Sequence, residues 1–297
     1  MLKNSSLLSG VYGILFLLLL WVFLLSKFQK VSDTLVFPYP SWNIEFAGEV
    51  VPIESADDFF NKERFDKEFL LTSNNLYQFY LYVKRYPLYI PYIEEKLKLS
   101  QIPDDFKYLP IAESALRDDV VSSAGAGGIW QFMPETAKRY GLRVDEYVDE
   151  RYHFEKATDA ALSYIQDLYK LFWNWTLVAA AYNRWENGLR RAMDNQWVET
   201  YYDLYLNEET SRYVFRILAI KYVMLSYFEW KDFIDTVIGW VSEKPSTHEI
   251  SVSEIWNLAT WSQENWYNYK DIKILNRWII GESLPKWEWS IKVFSKK

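Results

Sequence analysis

The chain contains no cysteine. That absence excludes a disulfide framework, a thiol nucleophile and a cysteine for lipid attachment, while saying little about compartment. Histidine is nearly missing too. His153 and His248 stand far apart in sequence without clustered partners, so no zinc site is expected and both are expected at the surface. The formal charge of −7 supplies no basic excess, which disfavours a nucleic-acid partner. The glycine-rich turn at 122–128 lacks the Gly-Lys-Ser/Thr ending of a phosphate loop. Internal repeats and low-complexity tracts are also absent. What the chain has in quantity is apolar and aromatic: 50% of its 297 residues are hydrophobic, with 15 Trp and 23 Tyr. That suffices for one large domain with a sizeable core plus small additions. Amphipathic rings also stack on sugar faces and settle at membrane interfaces, although packing accounts for most of them.

A nearly unbroken apolar run at 7–25 is flanked by Lys3 on one side and Lys27 and Lys30 on the other. It is long enough to cross a bilayer, which takes about 20 residues. No small-x-small site follows it, so residues 1–30 are expected to be an uncleaved anchor, with a cleaved signal peptide as the rival. Residues 31–54 carry Pro38, Pro40 and Pro52 without helical periodicity and read as an extended tether. Helices are expected from 55 onward. Phe59, Phe60, Phe65, Phe69 and Leu70 suit one, and Leu76, Phe79, Tyr80, Val83 and Tyr86 suit a second that Pro87 ends. Residues 147–154 read as a loop. Ala157, Ala161, Tyr164, Ile165, Leu168 and Phe172 then repeat with helical spacing. Small apolar residues at 175–181 suit a central buried helix that delivers Tyr182 and Asn183. From about 236 the pattern changes to strand at 249–252, a helix capped by Ser253 through Trp261, a helix at 270–276 and a strand at 289–294. The expected fold class is mainly α, with a helical domain at 55–235, its core at about 88–222, and a small α+β appendage at 236–297.

The stretch at 102–140 carries the chemistry. Asp104 and Asp105 follow Pro103 as helix-starting residues, and Phe106, Leu109, Glu113 and Leu116 recur at intervals of three and four on one face. Pro110 is expected to bend this helix one turn before Glu113. A carboxylate in an apolar stripe tends to hold its proton, which is the profile of a general acid at neutral pH. The bland alternative is a solvated or ion-paired Glu. Ser122-Ser123-Ala124-Gly125-Ala126-Gly127-Gly128 then makes a tight turn or close-approach loop, and Pro134 suits the first turn of a helix that Gly141 closes.

Glu113-Ser114, the Gly-Ala-Gly-Gly turn, Ile129-Trp130-Gln131-Phe132-Met133-Pro134-Glu135-Thr136-Ala137 and Tyr140-Gly141-Leu142 together resemble the lytic murein transglycosylases with a goose-lysozyme-like domain, in particular the membrane-bound D type. The run from Tyr89 to Leu97 and the run from Thr210 to Lys221 are similar to that family as well. The resemblance implies a goose-lysozyme-like helical catalytic domain in which Glu113 alone serves as acid and then base. It implies that Ser114, Gln131, Met133, Tyr182, Asn183 and Tyr213 bind the substrate. It implies no metal and no organic cofactor, peptidoglycan glycan strands as partner, and a catalytic domain facing the cell wall or periplasm from a single-pass anchor. One departure stands out: where the family continues with glycines after Ala-Tyr-Asn, this chain reads Arg184-Trp185-Glu186-Asn187-Gly188. Trp185 is expected to narrow or reshape the cleft there. The tail resembles a degenerate LysM-type sugar-binding module, with a structural cap as the alternative. A second carboxylate is not obvious, since Asp118 and Asp119 align poorly with Glu113 on a continuing helix. The implied reaction breaks the bond between N-acetylmuramic acid and N-acetylglucosamine and closes a 1,6-anhydro ring. A lysozyme-type hydrolase and a non-catalytic wall-binding scaffold stay open beside it.

Overall fold

The structure, a computed structural model, describes residues 37–40, 43–229, 231–232 and 245–295. The predicted anchor at 7–25 lies outside them. Among the described residues no helix is long and apolar enough to cross a membrane. The chain divides into residues 1–39 and residues 40–297, and the second unit holds every helix and strand among the described residues.

Two short strands, β1 (Glu45–Phe46) and β2 (Glu49–Val50), pair antiparallel at the start of that unit. This corrects the expectation of a tether running to residue 54. Ile44, Phe46 and Val51 are buried, and the Phe46 ring packs on Phe106 with centroids 5.4 Å apart. The hairpin is held by partners far along the chain. Ala47 N–H donates to Asp105 at 2.7 Å, and Lys221 donates to the Glu45 carbonyl at 2.9 Å and to Asp105 at 2.8 Å. The Glu49 carboxylate accepts from Trp175 N–H and the Thr176 hydroxyl, closing the start of a helix over a hundred residues away.

Helices follow in the expected order. α1 (Phe59–Ser73) buries Phe65 and Phe69 and packs against a long later helix. α2 (Leu76–Leu99) starts at Asn75, whose side chain accepts from Gln78 N–H. It runs on through Pro87 and Pro91, against the expectation that Pro87 ends it. Both prolines lie on the exposed side one turn apart, while Phe79, Val83, Ile90, Ile93 and Leu97 bury a continuous stripe that holds the helix together. A 3-10 turn at Asp104–Tyr108 leads into the short helix α3 (Leu109–Ser114), and α4 (Pro134–Arg139) follows the glycine-rich loop. α5 (Phe154–Phe172) and α6 (Trp175–Arg184) come next, and every residue of α6 from Thr176 to Tyr182 is buried, as its small apolar sequence predicts. α7 (Glu186–Gln196) and α8 (Glu208–Glu229) complete the helical part, with α8 packed on α1, α3 and α6.

The C-terminal part has the order strand, helix, helix, strand. β3 (Thr247–Val252) pairs antiparallel with β4 (Trp289–Phe294), with Ile250 opposite Ile291. Between them lie α9 (Leu258–Glu264) and α10 (Tyr269–Leu275). The cap of α9 is Asn257, which accepts from Thr260 N–H, rather than Ser253. A small separate core of Ile255, Leu258, Ile272, Ile279, Leu284, Trp289 and Ile291 also takes in Val148 from the helical part. The junction is built on backbone bonds. Ile280 and Gly281 N–H both donate to the Tyr147 carbonyl, and Asp149 N–H donates to the Trp278 carbonyl at 2.8 Å. His153 lies in this junction, packed on the Trp278 ring, and not at the surface as its type suggests. Burial lowers its pKa. His248 is exposed. A crevice of about 830 Å³ along the junction is lined by Tyr89, Asp118, His153, Arg277 and Lys292, among others.

Candidate active site

Glu113 sits in the last turn of α3, a helix of 6 residues. Pro110 lies in its first turn, where a missing N–H costs no hydrogen bond, so it starts the helix instead of bending it. The helix stops because Ala115 and Leu116 both take left-handed backbone, at φ 56 and 58. Leu116 therefore does not continue the predicted stripe, although it is buried. Two successive non-glycine residues in that region are strained, and they turn the chain sharply away immediately after the Glu-Ser pair. Ser114 holds the turn. Its buried hydroxyl lies 2.8 Å from the Ile129 carbonyl and 3.0 Å from that of Pro110, and it accepts from Arg117 N–H at 3.2 Å.

The glycine-rich loop is fitted around a buried arginine. The Arg151 guanidinium donates to the carbonyls of Gly125 at 2.7 Å and Phe132 at 3.0 Å, and Asp149 pairs with it at 2.6 Å. Gly128 has φ +76, and a Cβ there would stand 1.9 Å from the Arg151 carbonyl oxygen. Only glycine fits. Gln131, at φ 50, donates its side-chain amide to the Gly128 carbonyl at 2.7 Å. Trp130 is fully buried, with its indole N–H on Thr158 at 3.0 Å, and its carbonyl accepts the Tyr182 hydroxyl at 2.9 Å. Met133 is the extended residue that opens α4.

Burial drives the electrostatics of Glu113. Loss of water around the carboxyl pushes its pKa from 4.5 up to about 7. Glu209 adds to the rise by like-charge repulsion, while a hydrogen bond with the Tyr213 hydroxyl and the charge of Arg216 oppose it. Burial and the neighbouring Glu113 in turn hold the Tyr182 and Tyr213 hydroxyls protonated far up the pH scale. The group is therefore a carboxyl poised to give or take a proton near neutrality, beside phenols that stay protonated.

Of the residues singled out from sequence, Glu113, Tyr213 and Tyr182 share one electrostatic environment, and Ser114 and Gln131 hold the loop beside it. Asn183 turns to the rim, where its amide reaches Glu209 at 3.4 Å. Asp118 and Asp119 turn away, to Arg277 and Arg117. Glu209 and Arg216 were not picked out, yet they lie four residues before and three after Tyr213 on α8, a spacing that places all three on one face. Trp185 has φ +72, is half exposed, and borders a crevice of about 440 Å³ together with Asn183, Glu209 and Thr210. No group of three or more His, Cys, Asp or Glu suited to a metal ion occurs among the described residues.

The stretch that carries Glu113, the glycine loop and the Arg151 brace matches a family model, the transglycosylase SLT domain. The match spans residues 91–203. Tyr213 and Glu209 come from α8, beyond its matched end. The membrane-bound lytic murein transglycosylase D of Escherichia coli K12 is 34% identical over 141 residues, which is 46% of this chain and 31% of the relative. The chain thus spans about a third of the length of that curated relative. The crystal structure of the 70 kDa soluble lytic transglycosylase of Escherichia coli is 24% identical, with 46% of this chain and 24% of that one covered at a TM-score of 0.38. For lytic transglycosylase Slt of Pseudomonas aeruginosa the values are 21% identity, 47% and 24% coverage, and a TM-score of 0.37.

Proposed function

We propose that the protein is a lytic transglycosylase that cleaves the β-1,4 bond between N-acetylmuramic acid and N-acetylglucosamine in peptidoglycan without adding water. The observation that carries this reading is the largely buried Glu113 carboxyl, hydrogen-bonded to Tyr213 at the end of α3, where burial raises its pKa. The SLT match and the name of the Escherichia coli relative support the substrate class. Protonated Glu113 gives its proton to the glycosidic oxygen as the bond to C1 breaks, and the sugar's own acetamido group supports the positive charge. The Glu113 carboxylate then takes the proton of the C6 hydroxyl, whose oxygen bonds to C1 and leaves a 1,6-anhydro end. One carboxyl serves both halves, and the tethered hydroxyl outcompetes water when held in line.

In this reading Tyr213 steadies the ionised form of Glu113 between the two halves. Asn183 and Met133 meet the glycan, while Ser114, Gln131 and Tyr182 fix the loop that receives it. The anchor at 7–25 would hold the unit at the membrane, facing the wall, in keeping with the relative's name. The C-terminal strand-helix-helix-strand order is compatible with a LysM-type sugar-binding module.

A hydrolytic reading has one observation in its favour: Glu209 is a second carboxylate that acts electrostatically on Glu113. Product mass separates the two. Full-length protein in detergent, incubated with purified peptidoglycan, should release muropeptides lighter by one water than lysozyme products, and Glu113→Gln should release none. Reducing-end products would establish the hydrolase. An inert wild type across substrates would refute catalysis.

A further inference from the structure

Two adjacent residues of the C-terminal part, Arg277 and Trp278, connect to the catalytic loop by separate paths. On the first, the Arg277 guanidinium pairs with Asp118 at 3.1 Å and lies 3.9 Å from Asp119. Those two residues lie just after the left-handed turn that follows Glu113. The next carbonyl, that of Val120, accepts Gly128 N–H at 3.0 Å and the Gln131 amide at 3.3 Å. On the second, the Trp278 carbonyl takes Asp149 N–H at 2.8 Å. The side chain of that same Asp149 holds Arg151, whose guanidinium closes on the Gly125 and Phe132 carbonyls. Val148, the residue before it, is buried in the small C-terminal core.

Both paths end on the loop that fixes the back of the active site. Within it, Ile129 receives Ser114 and Trp130 receives Tyr182. We infer that the C-terminal part is a positioning element of the catalytic centre, with Arg277 as the positioning residue that sets the exit of the Glu113 turn. The residues that start the two paths are consecutive, so loosening one loosens the other. A merely appended binding module would need no such connection. The inference deepens the proposed function, and its catalytic arm rests on that reading.

The test uses the full chain in detergent with Arg277→Gln, Arg277→Lys and Asp118→Asn. Arg277 and Asp118 are both partly solvated, so the protein should fold without the pair, whose loss is a modest effect. Hydrogen exchange read by mass spectrometry should rise about fivefold in peptides covering 118–132 in Arg277→Gln and Asp118→Asn, and kcat on peptidoglycan should fall by about the same factor with KM unchanged. Combining the two substitutions should add little to either alone, and Arg277→Lys should restore most of both signals. Unchanged exchange in 118–132, or a rise spread evenly over the whole chain, would overturn the inference. If the wild type has no turnover, the proposed function fails while the exchange data still decide whether the C-terminal part positions the loop.

Discussion

Replacing Glu113 by Gln should stabilise the protein, and only above a certain pH. In the folded state the carboxyl titrates at about 7, against 4.5 for the unfolded chain, because burial disfavours its ionised form. Below pH 4.5 the group is neutral in both states and imposes no penalty. Between pH 4.5 and 7 the unfolded chain releases a proton that the folded chain retains, so stability falls as pH rises, and the loss is complete above 7. The shift corresponds to about 3 kcal/mol, at roughly 1.4 kcal/mol for each tenfold change. Gln has nearly the same shape, still accepts from Tyr213 and never ionises. The stability difference between Glu113→Gln and wild type should therefore grow by about 3 kcal/mol from pH 4 to pH 8, or roughly 6–12 °C in melting temperature for a domain of this size. Thermal or urea unfolding followed by circular dichroism at matched pH values measures it. A difference that stays constant across that range would refute the assignment of the perturbed pKa to Glu113.

The alkaline limb of kcat/KM should lie near pH 7, where Glu113 loses its proton, as a pH-rate profile on peptidoglycan would read. In Tyr213→Phe that limb should move to higher pH, because the Tyr213 hydrogen bond lowers the Glu113 pKa; a shift to lower pH would contradict the geometry. Gly128→Ala should cost at least ~2 kcal/mol and most of the activity, since its Cβ would overlap the Arg151 carbonyl at a left-handed position. Arg151→Met leaves Asp149 charged and buried with a backbone N–H but no cation beside it, and should destabilise by about 3 kcal/mol in urea unfolding. Trp185→Gly should gain about 1 kcal/mol by releasing its φ of +72, with any change in KM reporting the width of the rim.

The sequence was legible wherever one segment could speak for itself. The 3.6-residue periodicity of 157–172, the run of small residues at 175–181 and the alternation at 289–294 each specify an element locally, and each is present. Glu113 was legible as a carboxyl in apolar company. What stayed hidden depends on partners far along the chain. Ile44, Phe46 and Val51 gave no helical pattern and read as tether, yet their hairpin is held by Asp105 and Lys221. Pro87 read as a stop because a proline breaks the ladder locally, and the buried stripe on the other side of α2 outweighs it. Asp149 and Arg151 carried no sign that they would brace the glycine loop. Glu209 and Arg216 could have been found by following the face of α8 that presents Tyr213.

The tryptophans at helix ends mark places where the chain resists its own backbone. Trp173, Trp185 and Trp197 stop α5, α6 and α7, and Trp266 follows just beyond α9, all with positive φ and all half exposed or more. Random mutation at these points has an easy exit, since glycine relieves the torsion and removes little packing. Each position is thus a built-in comparison between the two uses of a residue. Where glycine leaves function untouched and raises the melting temperature, the ring is ornament. Where function suffers although the fold gains, the exposed indole touches something outside the molecule.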